Sequence, residues 1–121
     1  MKNILIIEDD DFLRSLMSKK LSSEGFNPIS AIDGEDGLKR AEEDKPDLIL
    51  LDLILPGIDG FGVLSKLKEN KNTSSIPTVI LSNLSQKEDI EKGLKIGAVD
   101  YIIKAQSTPE EIAEKVKSIL K

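Results

Sequence analysis

The sequence predicts a doubly wound α/β fold of five parallel strands, each followed by a helix, a (βα)5 chain with strand order 2-1-3-4-5. Two observations predict it. Short apolar runs alternate with helical patterns five times along 121 residues. These runs are continuously apolar, the mark of strands covered on both faces by crossover helices. Right-handed crossovers then wind the chain both ways from the first strand.

Each element has its own warrant. Ile4–Ile7 is a β-branched run that reads as a buried strand. Phe12, Leu13, Leu16, Met17 and Leu21 then recur at helical spacing, and Gly25 ends that helix. Asn27 to Ile32 reads as a second strand, with Asp33-Gly34 as punctuation before a polar helix carrying Leu38 and Ala41. Asp47 to Asp52, DLILLD, is the third strand, followed by the loop LILPGIDG and a helix over about Phe61 to Asn70. Ile76 to Leu81 is the fourth strand; Ser85 is the expected cap of a helix that Gly97 ends. Val99 to Ile103 is the fifth. Thr108-Pro109-Glu110-Glu111 then starts the last helix, with a cap, a proline in the first turn and acids beside the dipole. A single domain spanning residues 1–121 is expected.

Composition excludes several functions. The chain carries 17 basic and 22 acidic residues, a net charge of −5. Phosphate backbones attract clustered Lys and Arg, so direct nucleic-acid binding is not expected. Three Phe and one Tyr make no base-stacking platform. With no Cys and no His, there is no disulfide, thiolate nucleophile, histidine base or phosphohistidine. No run is long enough for a membrane span, and a cytoplasmic protein is expected.

The first strand runs straight into Glu8-Asp9-Asp10-Asp11. Two like charges about 4 Å apart repel by roughly 4 kcal/mol at an effective dielectric near 20. In open α/β sheets, ligands bind outside the carboxyl ends of the strands at the switch point. In the expected order the first and third strands are neighbours, so Glu8, Asp9 and Asp52 converge on one crevice. Three carboxylates suit a hard divalent cation, and Mg²⁺ takes one or two carboxylates plus waters and phosphate oxygens. Lys104, ending the fifth strand, brings a fixed positive charge, and the metal and lysine together balance the three acids. Ser82, ending the fourth strand, adds a hydroxyl. Asp10 and Asp11 read as a helix cap and a dipole partner.

The segments ILIIEDD, PDLILLDLILPGIDG, PTVILS and GAVDYIIK, in that order, closely resemble the receiver domain of two-component response regulators, a flavodoxin-like fold. The resemblance implies that Asp52 accepts a phosphoryl group from a histidine kinase or histidine phosphotransfer protein. It implies that Asp9 ligates Mg²⁺, that Glu8 assists, and that Ile54 offers its backbone carbonyl. Ser82 would bond a phosphoryl oxygen, Lys104 would pair with the phosphoryl group, and Tyr101 would change rotamer on activation. Output would pass to a downstream protein through the surface of helix 4, strand 5 and helix 5, with Lys87, Glu91, Lys95, Tyr101 and Gln106, and with dimerisation on activation open. Such a module is a phosphoacceptor with modest autophosphorylation and autodephosphorylation chemistry, not a classical enzyme.

Three departures from the family pattern stand out. The family usually has Lys-Pro after the fifth strand, commonly cis; here it is Lys104-Ala105. A cis bond before a non-proline costs about 2.5–4 kcal/mol, so the loop is expected to run trans or to hold strain. Asn83 stands where a small Ala is common and is expected to crowd or polarise the mouth of the site. Ile54 and Leu84, each two residues beyond a site residue, cannot hydrogen-bond an attacking water, which implies slow self-dephosphorylation. The alternatives are a pseudo-receiver interaction module that takes no phosphoryl group and a Mg²⁺-dependent aspartyl-phosphate phosphatase. The phosphatase needs a second carboxylate where Ile54 stands. A flavin domain of this topology is disfavoured, because EDDD would repel the flavin phosphate.

Overall fold

The computed structural model describes all 121 residues. The apolar runs become strands β1 (Asn3–Ile7), β2 (Asn27–Ala31), β3 (Leu48–Leu51), β4 (Thr78–Ser82) and β5 (Asp100–Ile103). Between and after them lie helices α1 (Asp11–Ser23), α2 (Gly34–Asp44), α3 (Gly60–Glu69), α4 (Lys87–Ile96) and α5 (Pro109–Ile119). All five strands are parallel, in the order β2-β1-β3-β4-β5.

Alternate residues of each central strand serve opposite faces, as a pleated strand requires. Leu5, Ile7, Ile49, Leu51 and Ile80 pack with Val63, Leu64 and Leu67 of α3 and Ala41 of α2. Ile4, Ile6, Leu48, Leu50, Val79 and Leu81 pack with Met17 and Leu21 of α1 and Ile112, Ala113 and Val116 of α5. Two apolar layers therefore sandwich the sheet.

Several boundaries move, each for a local reason. β4 starts at Thr78 rather than Ile76. Pro77 has no N–H to give a ladder, and Ile76 instead closes a turn onto the Thr73 carbonyl at 3.0 Å. β2 stops at Ala31, and the Ile32 amide turns away to Asp36 Oδ2 at 3.3 Å. Ser85 does not cap α4. The first turn opens one residue later, with Gln86 at the cap position and no side-chain cap bond. In α1, only Met17 and Leu21 of the apolar series are buried, while Phe12 is 73% exposed. The last helix begins as expected, with a reciprocal capping box between Thr108 and Glu111. Gly97 ends α4 at φ +141°, a conformation that favours glycine. Every peptide bond is trans, Lys104-Ala105 included.

Candidate functional site

Parallel register assembles the site. Ile7 pairs with Leu51, so Glu8 and Asp52 leave adjacent strands side by side. The Asp52 amide still donates to the Ile7 carbonyl and the Glu8 amide to the Ala31 carbonyl, both at 3.1 Å. These ladder bonds hold the two carboxylates at the sheet edge. Both are buried, whereas Asp9 faces solvent. One carboxylate oxygen from each of Glu8, Asp9 and Asp52 lies within 4.8 Å of the others.

Lys104 reaches back from the 3₁₀ turn Lys104–Gln106 after β5. Its Nζ lies 2.5 Å from Glu8 Oε1 and 3.0 Å from Asp52 Oδ2. The other Asp52 oxygen, Oδ1, accepts the Ile54 amide at 3.3 Å. Glu8 Oε2 accepts the Asp10 amide at 3.2 Å. Burial pushes the Glu8 carboxyl above its usual range, opposed by the Lys104 hydrogen bond and reinforced by the Asp52 charge. Burial disfavours the Lys104 ammonium, but its bonds to Glu8 and Asp52 outweigh that and hold its pKa above the usual lysine value.

The remaining expected residues lie around this centre. Ser82 is fully buried, and its Oγ accepts the Leu84 amide at 3.2 Å. The Tyr101 hydroxyl donates to the Leu84 carbonyl at 2.5 Å. Burial, then the Asp89 charge, raises its pKa. Ser82 and Tyr101 thus both hold the segment after β4 in this state. Ile54 turns an exposed side chain outward beside Asp52. Asp10 caps α1 by accepting the Leu13 amide at 3.0 Å and Asp11 lies in the first turn of that helix, as read from the sequence, and Asp11 also pairs with Arg14.

Two contacts were not anticipated. Arg14 Nη1 donates to the Glu8 carbonyl at 2.8 Å, adding a cation beside the acidic run. A basic residue one turn into the helix that follows EDDD was the available signal. Asn83 does not merely crowd the mouth: its Oδ1 accepts the Ala105 amide at 2.8 Å. Loss of proline at 105, which frees that N–H, was the signal there.

The three carboxylates are of the right type and spacing for a hard divalent cation, since oxygen donors converge and one of them faces solvent. Asp52 is a buried carboxylate with each oxygen held by one donor, a group able to act as a nucleophile toward phosphorus.

A five-stranded parallel sheet in this order, with a carboxylate cluster at its carboxyl edge, defines a flavodoxin-like domain. The description "Response regulator receiver domain" matches residues 4–117, and the chain belongs to that family. It is 39% identical, over 99% of its length, to the alkaline phosphatase synthesis transcriptional regulatory protein PhoP of Bacillus subtilis, and covers 49% of that protein. It is 37% identical, over 99% of its length, to the phosphate regulon transcriptional regulatory protein PhoB of Escherichia coli, and covers 52% of it. The chain thus spans about half the length of the curated relatives it matches. Its fold superposes on the BeF3-activated N-terminal receiver domain of Klebsiella pneumoniae RstA with a TM-score of 0.90. The two are 28% identical, with 98% of each chain covered. Membership makes the chain a signalling module rather than a classical enzyme. No helix is long and apolar enough to cross a membrane.

Proposed function

We propose that Asp52 is the phosphoacceptor of a cytoplasmic, phosphorylation-dependent switch that takes its phosphoryl group from a histidine kinase or histidine phosphotransfer protein. The observation that carries this reading is the buried Asp52 carboxylate, held between the Lys104 ammonium at 3.0 Å and the Ile54 amide at 3.3 Å. An Asp52 oxygen attacks phosphorus, the donor's P–N bond breaks, and an acyl phosphate forms. Lys104 then exchanges an Asp52 oxygen for a phosphoryl oxygen and offsets the charge gathering there. Ser82 gives up the Leu84 amide and donates its hydroxyl to a second phosphoryl oxygen.

Glu8, Asp9, Asp52 and the Ile54 carbonyl would hold Mg²⁺. The ion would neutralise charge that Lys104 alone cannot offset. Release of Leu84 frees the carbonyl that Tyr101 holds. That favours a second arrangement of the α4–β5–α5 surface and so changes partner binding. The partner is a downstream protein, with dimerisation on activation as one form of output. Net charge −5 argues against direct nucleic-acid binding by this domain.

Intact-protein mass after incubation with acetyl phosphate and Mg²⁺ tests the proposal. One phosphoryl adduct is expected, absent without Mg²⁺ and absent in Asp52→Ala. An adduct persisting in Asp52→Ala identifies another nucleophile. No adduct in wild type, even with a competent kinase, returns the chain to the pseudo-receiver reading.

A further inference from the structure

Two residues that break the family pattern meet in space. Asn83 leaves the end of β4, and Ala105 follows Lys104 at the end of β5. The final pair of that ladder is Ser82 with Ile103, so the chain one step beyond brings Asn83 beside the Lys104 turn. Asn83 Oδ1 accepts the Ala105 N–H at 2.8 Å across 22 residues of sequence. A proline at 105 would have no N–H to give. The Lys104 carbonyl accepts the Ser107 amide at 3.3 Å. The backbone of Lys104 is therefore tied on its C-terminal side by one local and one long-range bond. Its side chain meanwhile spans Glu8 and Asp52.

We propose that Asn83 is a positioning residue for Lys104. Its side-chain amide latches the turn after β5 to the segment after β4, so that the lysine meets the phosphoryl group at Asp52 in fixed geometry. The latch does for this chain what ring rigidity does where a proline follows the lysine. It also joins the Ser82 segment and the Lys104 turn into one mechanical unit, so the two loops move together when Ser82 changes partner. The inference rests on Asp52 being the phosphoacceptor.

The test uses the full chain and two readouts. The first is hydrogen exchange of the Ala105 amide in unphosphorylated protein, followed by NMR. Asn83→Ala is expected to speed that exchange about threefold to tenfold, the worth of one lost hydrogen bond. Asn83→Asp, which keeps the acceptor oxygen, holds it at the wild-type rate. Equal exchange in all three proteins overturns the latch. The second readout is the rate of adduct formation from acetyl phosphate. Asn83→Ala slows it in the wild-type background and leaves it unchanged in Ala105→Pro, which already lacks the donor. An equal effect in both backgrounds means that Asn83 acts through its bulk at the mouth, and overturns the positioning role. Should Ala105→Pro fail to fold, Asn83→Asp takes its place in the second readout: adduct formation at the wild-type rate, against a slowed Asn83→Ala, supports the positioning role, and no slowing in Asn83→Ala overturns it. A wild type that takes up no phosphoryl group defeats the Asp52 reading, while the exchange experiment still decides the latch.

Discussion

Lys104 bridges two buried carboxylates that would otherwise repel across the sheet edge. Removing one partner of a buried pair leaves the other charge uncompensated, a larger cost than the pair's net worth. Lys104→Met is therefore expected to destabilise the metal-free protein by about 3 kcal/mol at neutral pH, measured by urea denaturation in chelator. The loss should shrink on acidification, because burial already pushes Glu8 up and a protonated Glu8 no longer repels Asp52. A Lys104→Met protein equally destabilised at pH 5 and pH 7 would contradict this account. The same scale governs the phosphoryl lifetime. Neither Ile54 nor Leu84 carries a group able to orient water, and a positioned acid or base contributes about 10²- to 10⁴-fold when present. Leu84→Glu is expected to shorten the half-life of the adduct by at least about tenfold, followed by intact mass after removal of donor. A sharply lengthened half-life would refute the argument.

At the scale of elements, close approaches decide what a substitution costs. α3 starts at Gly60, where an added Cβ would lie 2.3 Å from the Asp52 carbonyl oxygen and 2.5 Å from Leu53 Cα. Both are backbone atoms of the loop that leaves Asp52. Gly60→Ala is expected to cost about 1–3 kcal/mol or more and to slow adduct formation by displacing Asp52. Gly93→Ala in α4 meets the Ile80 side-chain tip at 2.4 Å instead, and should cost less because a flexible end can shift. Helices α1 and α5 are tied by the Glu24–Lys117 pair. The Lys117 hydrogen bond holds the Glu24 carboxyl below its usual value of 4.5. The folded state therefore gains from the ionised form above pH 4.5, and that gain is lost as pH falls through the lowered value. Glu24→Gln should lower the melting temperature slightly at neutral pH and converge with wild type in acid. The central strands were legible in the sequence, because Ile4–Ile7 and Leu48–Leu51 are apolar on both faces and only a doubly covered sheet buries them. So were Glu8, Asp9, Asp52, Ser82 and Lys104 as strand-end neighbours. The exposed flank of α1 was not, since periodicity marks an apolar stripe without saying how wide a stripe the sheet can cover. Nor was the Asn83–Ala105 bond, which depends on two loops converging from distant parts of the chain.

For the molecule as a whole, the acidic centre stores repulsion that a ligand can relieve. Three carboxylates gather within 4.8 Å at one edge of a chain already carrying net charge −5, and Lys104 and the nearby Arg14 only partly offset them. The folded state alone brings Glu8, Asp9 and Asp52 together, so an ion bound there stabilises folding by mass action. For a dissociation constant of about 1 mM, 10 mM Mg²⁺ is worth roughly 1.4 kcal/mol, several degrees in the melting temperature of a domain this size. The comparison must hold ionic strength fixed with NaCl, because screening alone would relieve part of the repulsion. Wild type is expected to gain in Mg²⁺ and return to its starting value in chelator. Asp9→Asn should lose most of the gain, because it removes the solvent-facing carboxylate of the cluster without disturbing the Lys104 contacts. Asp52→Asn should start more stable in chelator, with one fewer like charge, and respond less to the ion. Equal shifts in Mg²⁺ and in NaCl would mean that the cluster binds no ion specifically, and that its charge is offset by Lys104, Arg14 and screening alone.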